Sequence, residues 1–301
     1  MRFGVVFAST GGIKMARALR SLRRAEPDLQ IHIVLDVASR TFKKSKEQHS
    51  FLDGISEENV HVMGFTNQFH INGCLNQGMR WMRDSGCEYA CGFHDDVIFS
   101  PLPEHRGFLS RCFETVLADE RLRNCPGISL PYVQAFSDEV RYSRMPEEWD
   151  RMDLESEDLW RRLLPNNGEP LDYWGEGGPP PKVQLAEFLA FYFTTRKILP
   201  QYRLGPPGYI LPLKVWEEVG GFDENVGLFY DADYPAACAL GGMSKELVIP
   251  GVPFIHLHNQ SMNPDGDCAD NLYGDFNAAF EKKYGMSLGD FTLKYFCNQK
   301  D

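Results

Sequence analysis

The chain has 301 residues with 31 Lys plus Arg against 42 Asp plus Glu, a formal charge of −11; 43% of residues are apolar and 13% aromatic. That is a folded, water-soluble composition with enough length for a well-buried core. The acidic balance argues against a nucleic-acid binder held by phosphate contacts, and no stretch approaches the roughly 20 apolar residues of a membrane span.

The acidity is uneven. Residues 1–50 hold ten basic and four acidic side chains, whereas 135–181 hold five basic and twelve acidic ones. The opening MRFGVVFASTGG reaches a Thr-Gly-Gly turn within ten residues, so it reads as a buried strand and not as a secretory leader. The basic run Arg17, Arg20, Arg23 and Arg24 reads as the solvated face of a helix. Eight Cys (74, 87, 91, 112, 125, 238, 268 and 297) contain no C-x-x-C pair, which disfavours a zinc site. Scattered thiols of this kind, without a leader, fit a reducing cytoplasmic setting.

In chain order, FGVVFA (3–8) predicts a buried strand, and Ile13, Ala16, Leu19 and Leu22 a helix. IHIVLD (31–36) and VHVMGF (60–65) predict two more strands. A helix through Cys74, Gly78 and Trp81 follows, then the strand EYACGF (88–93), which runs into His94-Asp95-Asp96. A helix over 105–120 leads into a strand GISLPYV (127–133). Alternating strands and helices with near-continuous apolar strands imply an α/β fold with a mostly parallel central sheet flanked by helices. Ligands of such sheets sit beyond the carboxyl ends of the strands, which singles out Ser9, Thr10, Asp36, Thr66, Asn67 and His94 to Asp96. Residues 135–181, rich in Asp, Glu, Trp and Pro, read as an irregular acidic insertion with some helix at 153–164. From 208 a strand enters a helix in GYILPLKVW. A turn and helix follow in 218–242, then a strand region in ELVIPGVPFIHLHNQS and a last amphipathic helix over 270–284.

Three segments carry chemistry. In GFHDDVIFSP (92–101) a strand ends in two adjacent carboxylates, a donor type suited to a hard divalent cation such as Mg²⁺ or Mn²⁺. In EVGGFDENVGLFYDADYPAACALGG (218–242) a Gly-Gly turn precedes Asp223-Glu224 and then Asp231-Ala232-Asp233 at a helix start. In FIHLHNQS (254–261), His256 and His258 alternate along a strand, and either is a candidate metal ligand.

The order and spacing of these segments resemble the glycosyltransferase family 2 type, which has the GT-A fold. GGFDE matches that family's turn in full. YDADY stands where the family has E-D-x-D, with Tyr230 in place of Glu. HLHNQS holds the His-to-Ser position, with His256 five residues before Ser261. FHDDV holds the D-x-D position, with His94 in place of the first acid. VLDVASRT (34–41) resembles the V-D-x-x-S turn and NQGMRWM (76–82) the N-x-G helix.

The resemblance implies one GT-A-like domain over 1–301. Residues 1–134 are its nucleotide-sugar half, 135–207 an insertion serving as acceptor flap, and 208–301 its catalytic half. It implies a metal-dependent inverting glycosyltransferase that uses a nucleotide-diphosphate sugar, above all a UDP-sugar. The acceptor hydroxyl would belong to a glycan, glycolipid or small molecule. Asp231 takes the place of the catalytic base. Asp36 holds the base of the nucleotide, Ser9 and Thr10 line the nucleoside pocket, and Asp95 faces the diphosphate. Asp96 and His256 hold Mn²⁺ or Mg²⁺. Two alternatives stand beside it: a sugar-1-phosphate nucleotidyltransferase, for which Lys14 after Gly11-Gly12 is the pertinent residue, and a non-catalytic nucleotide-sugar-binding protein of the same fold.

Overall fold

The run after Arg2 forms β1 (Phe3–Ser9), and Gly11 and Gly12, both with φ above +80°, turn the chain into α1 (Ile13–Ala25). The computed structural model describes residues 2–37, 59–66, 71–137, 153–164, 182–185, 188–201, 203–205, 207–225, 230–251, 254–257 and 276–297. β2 (Ile31–Asp36) and β3 (Val60–Phe65) pair in parallel with β1 and with each other in turn. α2 (Ile71–Asp84) returns the chain to β4 (Tyr89–His94), parallel to β1 on its other side.

β1, β2 and β4 read as near-continuous apolar runs because both of their faces are covered, whereas β3, at the sheet edge, is partly exposed. Val5 and Phe7 of β1 enter a core with Met15, Leu19 and Leu22 of α1. Val6 and Ala8 enter another with Leu75, Met79 and Met82 of α2. The sheet continues through β6 (Ile128–Ser129), β10 (Leu199–Gln201), β11 (Gly208–Pro212) and β12 (Glu246–Val248), in the order β10-β12-β6-β11-β4-β1-β2-β3. β11 is antiparallel to both β4 and β6, and β10 to β12.

A second sheet, not foreseen in the sequence, has the order β5-β13-β7-β9-β8. Its strands are β5 (Val97–Phe99), β7 (Tyr132–Ser137), β8 (Lys182–Leu185), β9 (Phe188–Phe193) and β13 (Phe254–His256). GISLPYV is therefore not one strand. Pro131 lacks an N–H to donate to a ladder, and the run divides there into β6 of the large sheet and β7 of the small one. ELVIPGVPFIH divides in the same way, into β12 and β13 across Pro250-Gly251. The helix expected at 105–120 is α3 (Phe108–Ala118), followed by the short α4 (Glu120–Arg123).

The described parts of 135–207 are less irregular than the composition of the region suggests. β7 runs on to Ser137, paired in register with Phe188 of β9, and β8 closes the edge. α5 (Glu157–Leu163) lies against this sheet, with Trp160 fully buried and its indole N–H donating to the Leu154 carbonyl at 2.8 Å. Glu155 meets Arg24 at 2.5 Å, so the acidic insertion neutralises part of the basic face of α1, which is not wholly solvated. Trp149, Trp174, Cys268 and most of 138–181 lie outside the described residues.

Candidate active site

Three chain segments pass from the large sheet to the small one: β4 to β5, β6 to β7, and β12 to β13. The first crossing is His94-Asp95-Asp96. β5 and β13 then pair antiparallel with His256 opposite Val97, and the Leu257 N–H donates to the Asp96 carbonyl at 2.8 Å. This register carries His256 to Asp96 across 160 residues of chain. His256 Nε2 lies 3.3 Å from Asp96 Oδ1, and His94 Nδ1 lies 4.0 Å from the same oxygen. One ligand atom from each of His94, Asp96 and His256 falls within 4.8 Å of the others.

Ser9, Asp95, Asp96 and His256 are all buried polar residues. Burial pushes the Asp96 carboxyl up, but His256, His94 and the Lys14 ammonium outweigh it and hold the group well below the usual carboxylate range. Burial lowers the pKa of half-buried Lys14, which the charges of Asp95 and Asp96 resist. Asp95 accepts a hydrogen bond from the Ser9 hydroxyl at 2.6 Å, and Ser9 Oγ in turn accepts from the Gly11 N–H at 2.8 Å. The Gly-Gly turn is thereby tied to the carboxylates, with Thr10 half-buried between.

Asp36 is buried at the carboxyl end of β2, two strands from β4 and so about 10 Å away across the sheet. Its charge is felt by the Cys74 thiol, which burial, Asp36 and Glu224 push up to about 12. Ser9 and Thr10, at the end of the intervening β1, separate Asp36 from the His94–Asp96 corner.

The GGFDE turn caps α6 (Leu213–Glu218), with Gly220 and Gly221 both in the left-handed region. It docks on α2. The Asn76 side-chain amide donates to the Phe222 carbonyl at 2.8 Å while its oxygen accepts from the Phe222 N–H at 2.9 Å. Asn72 donates to the Asp223 carbonyl at 2.7 Å. The N-x-G segment and the GGFDE turn are thus one structural unit, and Asn76 lies inside a helix instead of starting one.

The next helix, α7 (Tyr230–Leu240), separates its two acids. Residues two apart on a helix point about 200° apart. Asp233 faces α8 (Phe276–Tyr284), where the Lys283 ammonium lies 2.8 Å away and the Tyr284 hydroxyl donates to it at 2.8 Å. Lys283 also reaches Asp223 at 2.8 Å.

Asp231 is left to the other side. Burial pushes its carboxyl up to about 6, against the pull of the Arg203 guanidinium 3.7 Å away. The Tyr132 hydroxyl feels the charge of Asp231, and its ring stands edge-on to His256. Tyr230 feels both Asp231 and Asp96. Asp231 therefore shares its surroundings with the His94–Asp96–His256 corner.

Of the residues singled out in the sequence, Ser9, Asp95, Asp96 and His256 form one cluster. Asp231 adjoins it, and Thr10 and Asp36 flank it. His258, Ser261 and Asn67 lie outside the described residues. Sequence reasoning missed Arg203, for which there is no local signal. It also treated His94 and Tyr230 as lost acids, although an H-x-D spacing at a strand end is itself a metal-ligand pattern.

No protein-family model matches the sequence, and neither does any curated protein. Solved structures do match in fold. S. aureus TarS 1–349 in complex with UDP-GlcNAc overlays with a TM-score of 0.51 and 11% identity, over 98% of this chain and 68% of that one. S. aureus TarS 1–349 alone gives 0.50 and 10%, over 98% and 66%. The mannosyltransferase PcManGT from Pyrobaculum calidifontis, in complex with GDP-Man and Mn²⁺, overlays more loosely, at 0.45 and 13%, over 99% and 65%. The chain spans about two thirds of the length of these proteins. By its architecture the chain has a GT-A-like fold.

Proposed function

We propose that this protein is a metal-dependent inverting glycosyltransferase that moves a sugar from a nucleotide-diphosphate donor, above all a UDP-sugar, to an acceptor hydroxyl. The observation that carries this reading is the pairing of a cation-type corner with a separate carboxyl tuned for proton transfer. Asp96 and His256, both buried, meet 3.3 Å apart, and burial pushes the carboxyl of neighbouring Asp231 up to about 6. The residues fit a cation. Asp96 Oδ1 is fully buried, makes no hydrogen bond of good geometry, and has imidazole nitrogens as its near neighbours.

Asp96 and His256 would hold Mn²⁺ or Mg²⁺, and a bound cation there supplies neutralising charge for the departing nucleotide. Lys14 adds a fixed positive charge on the same side. Asp36 accepts hydrogen bonds from the nucleobase. Ser9, Thr10 and Asp95 line the path from the base to the diphosphate, a span of about 10 Å that suits a nucleoside diphosphate. Asp231 takes the acceptor hydroxyl proton as that oxygen attacks the anomeric carbon from the face opposite the leaving group, inverting its configuration. Arg203 keeps enough of Asp231 ionised to act. The acceptor, a glycan, glycolipid or small molecule, would be read by the small sheet and the rest of 135–207.

Among the described residues no helix is long and apolar enough to cross a membrane. Six of the seven described cysteines are buried free thiols, in keeping with a cytoplasmic setting.

A thermal-shift panel of nucleotide sugars with and without Mn²⁺ tests the reading, because a ligand specific to the folded state stabilises it by mass action. One donor should raise the midpoint only with cation present, Asp96→Asn should abolish that rise, and Asp231→Asn should retain it. A panel without any cation-dependent binder would overturn the proposal.

A further inference from the structure

The two positions at which the sequence departs from the glycosyltransferase pattern lie 136 residues apart and touch. His94 stands where the pattern has an acid, and Tyr230 where it has a Glu. The His94 Nε2 is 2.9 Å from the Tyr230 hydroxyl, and the two rings meet edge-on at 6.2 Å. Tyr230 is itself fixed, being fully buried against Phe222 and Tyr209.

The other imidazole nitrogen of His94, Nδ1, is the one that faces Asp96 Oδ1 at 4.0 Å. His256 Nε2 approaches that oxygen from its own side, and the two imidazoles stand 5.5 Å apart, tilted by 64°. Ligand atoms around one small divalent cation stand about 3 to 3.5 Å apart. The separations at Asp96 are close to that, so modest side-chain adjustment closes the set.

The hydrogen bond to Tyr230 also bears on the tautomer. When Nε2 carries the proton and donates it to the Tyr230 oxygen, Nδ1 presents its lone pair toward Asp96. Metal-bound histidines are oriented by such an outer hydrogen bond on the far nitrogen. A hydroxyl can take this part where a carboxylate is absent.

We propose that His94 is the third protein ligand of the cation site and that Tyr230 is the positioning residue that aims it. The donor set is then two imidazoles and one carboxylate, which favours first-row transition cations over Mg²⁺. This rests on the reading above that Asp96 and His256 hold a cation. On this view the two departures are a matched pair: exchanging the acid for an imidazole at position 94 goes with exchanging an acid for a hydroxyl at position 230.

Calorimetric titration of the metal-free full chain with Co²⁺ and with Mg²⁺ tests the inference without reference to activity. The wild-type protein should bind Co²⁺ about 100-fold or more tightly than Mg²⁺. His94→Ala should lose about 10- to 100-fold in Co²⁺ affinity, with Mg²⁺ changed little, and Tyr230→Phe should lose about 10-fold. His94→Asp keeps a ligand but exchanges nitrogen for oxygen, so it should narrow the Co²⁺-to-Mg²⁺ gap about tenfold or more. That variant decides the matter if His94→Ala does not fold. Co²⁺ affinity unchanged in the position-94 and position-230 variants, but lost in His256→Ala, would overturn the role of His94 and leave the cation reading standing. A wild-type chain that binds neither cation would overturn both.

Discussion

Replacing Asp231 by Asn keeps the size of the side chain and removes a carboxyl that burial pushes up to about 6. With a pKa of about 6, the fraction of Asp231 that is ionised is about 0.9 at pH 7 and about 0.1 at pH 5. The kcat/KM profile of the wild-type protein should therefore fall about tenfold per unit below pH 6, since that parameter reports groups of the free enzyme. Asn at 231 should cost about 10²- to 10⁴-fold in rate and leave no acid limb from this group. Arg203→Ala should move the limb to higher pH, because the guanidinium is the charge that restrains the rise.

The same substitution has a consequence for stability. A carboxyl raised from 3.8 to about 6 on folding favours the folded state fully below pH 3.8, and loses that favour as pH rises through 6. At pH 7 its ionisation costs up to about 3 kcal/mol, at 1.36 kcal/mol per unit. Asp231→Asn should thus be more stable than wild type at pH 7 and no more stable at pH 3.5. Urea unfolding at the two values, beside initial rates from pH 5 to 8, measures both effects. A flat rate profile from pH 5 to 7, or an Asn variant active within threefold of wild type, would refute the assignment of Asp231.

Three further outcomes are expected. Glu246, buried in β12 and pushed up to about 8 by burial, carries the same sign over a wider window, so stability should fall from pH 4.5 to 8 and Glu246→Gln should recover up to about 5 kcal/mol at pH 8, read from denaturant midpoints. Asn76→Ala strands the Phe222 N–H and carbonyl inside the α2–turn contact and should cost about 2–4 kcal/mol, with faster hydrogen exchange at Phe222. Gly92→Ala drives a Cβ into the Tyr209 ring across the β4–β11 register and should cost about 1–3 kcal/mol in thermal unfolding, while Gly220→Ala, with open space around its Cβ, should cost only the strain of a positive φ.

Much of the large sheet is legible in the sequence because its central strands are buried on both faces. FGVVFA and YACGF have no polar position to alternate with, IHIVLD has only the buried His32 inside it, and the three strands end abruptly in Ser9, His94-Asp95-Asp96 and Asp36. The small sheet is not legible. Its strands are three to six residues long, two of them are continuations of large-sheet strands cut by proline, and what makes them strands is the partner across the ladder. The acids of the site could be listed from the motif, but their division of labour could not. Asp231 and Asp233 look alike in YDADY, and only the approach of Lys283 and Tyr284 shows that Asp233 is clamped while Asp231 is not. The contact between His94 and Tyr230 depends on the juxtaposition of β4 with α7, which no local spacing encodes.

The most direct test of glycosyl transfer is the product formed from the donor that the binding panel selects. Incubated with Mn²⁺ and that donor, the wild-type protein should release the nucleoside diphosphate, slowly to water and faster with acceptor, and Asp231→Asn should not. Release of pyrophosphate, to which Lys14 beside the carboxylates is also suited, would contradict the account in favour of nucleotidyl transfer, and stable binding without any release, with water or any glycan, would contradict it in favour of a binding protein.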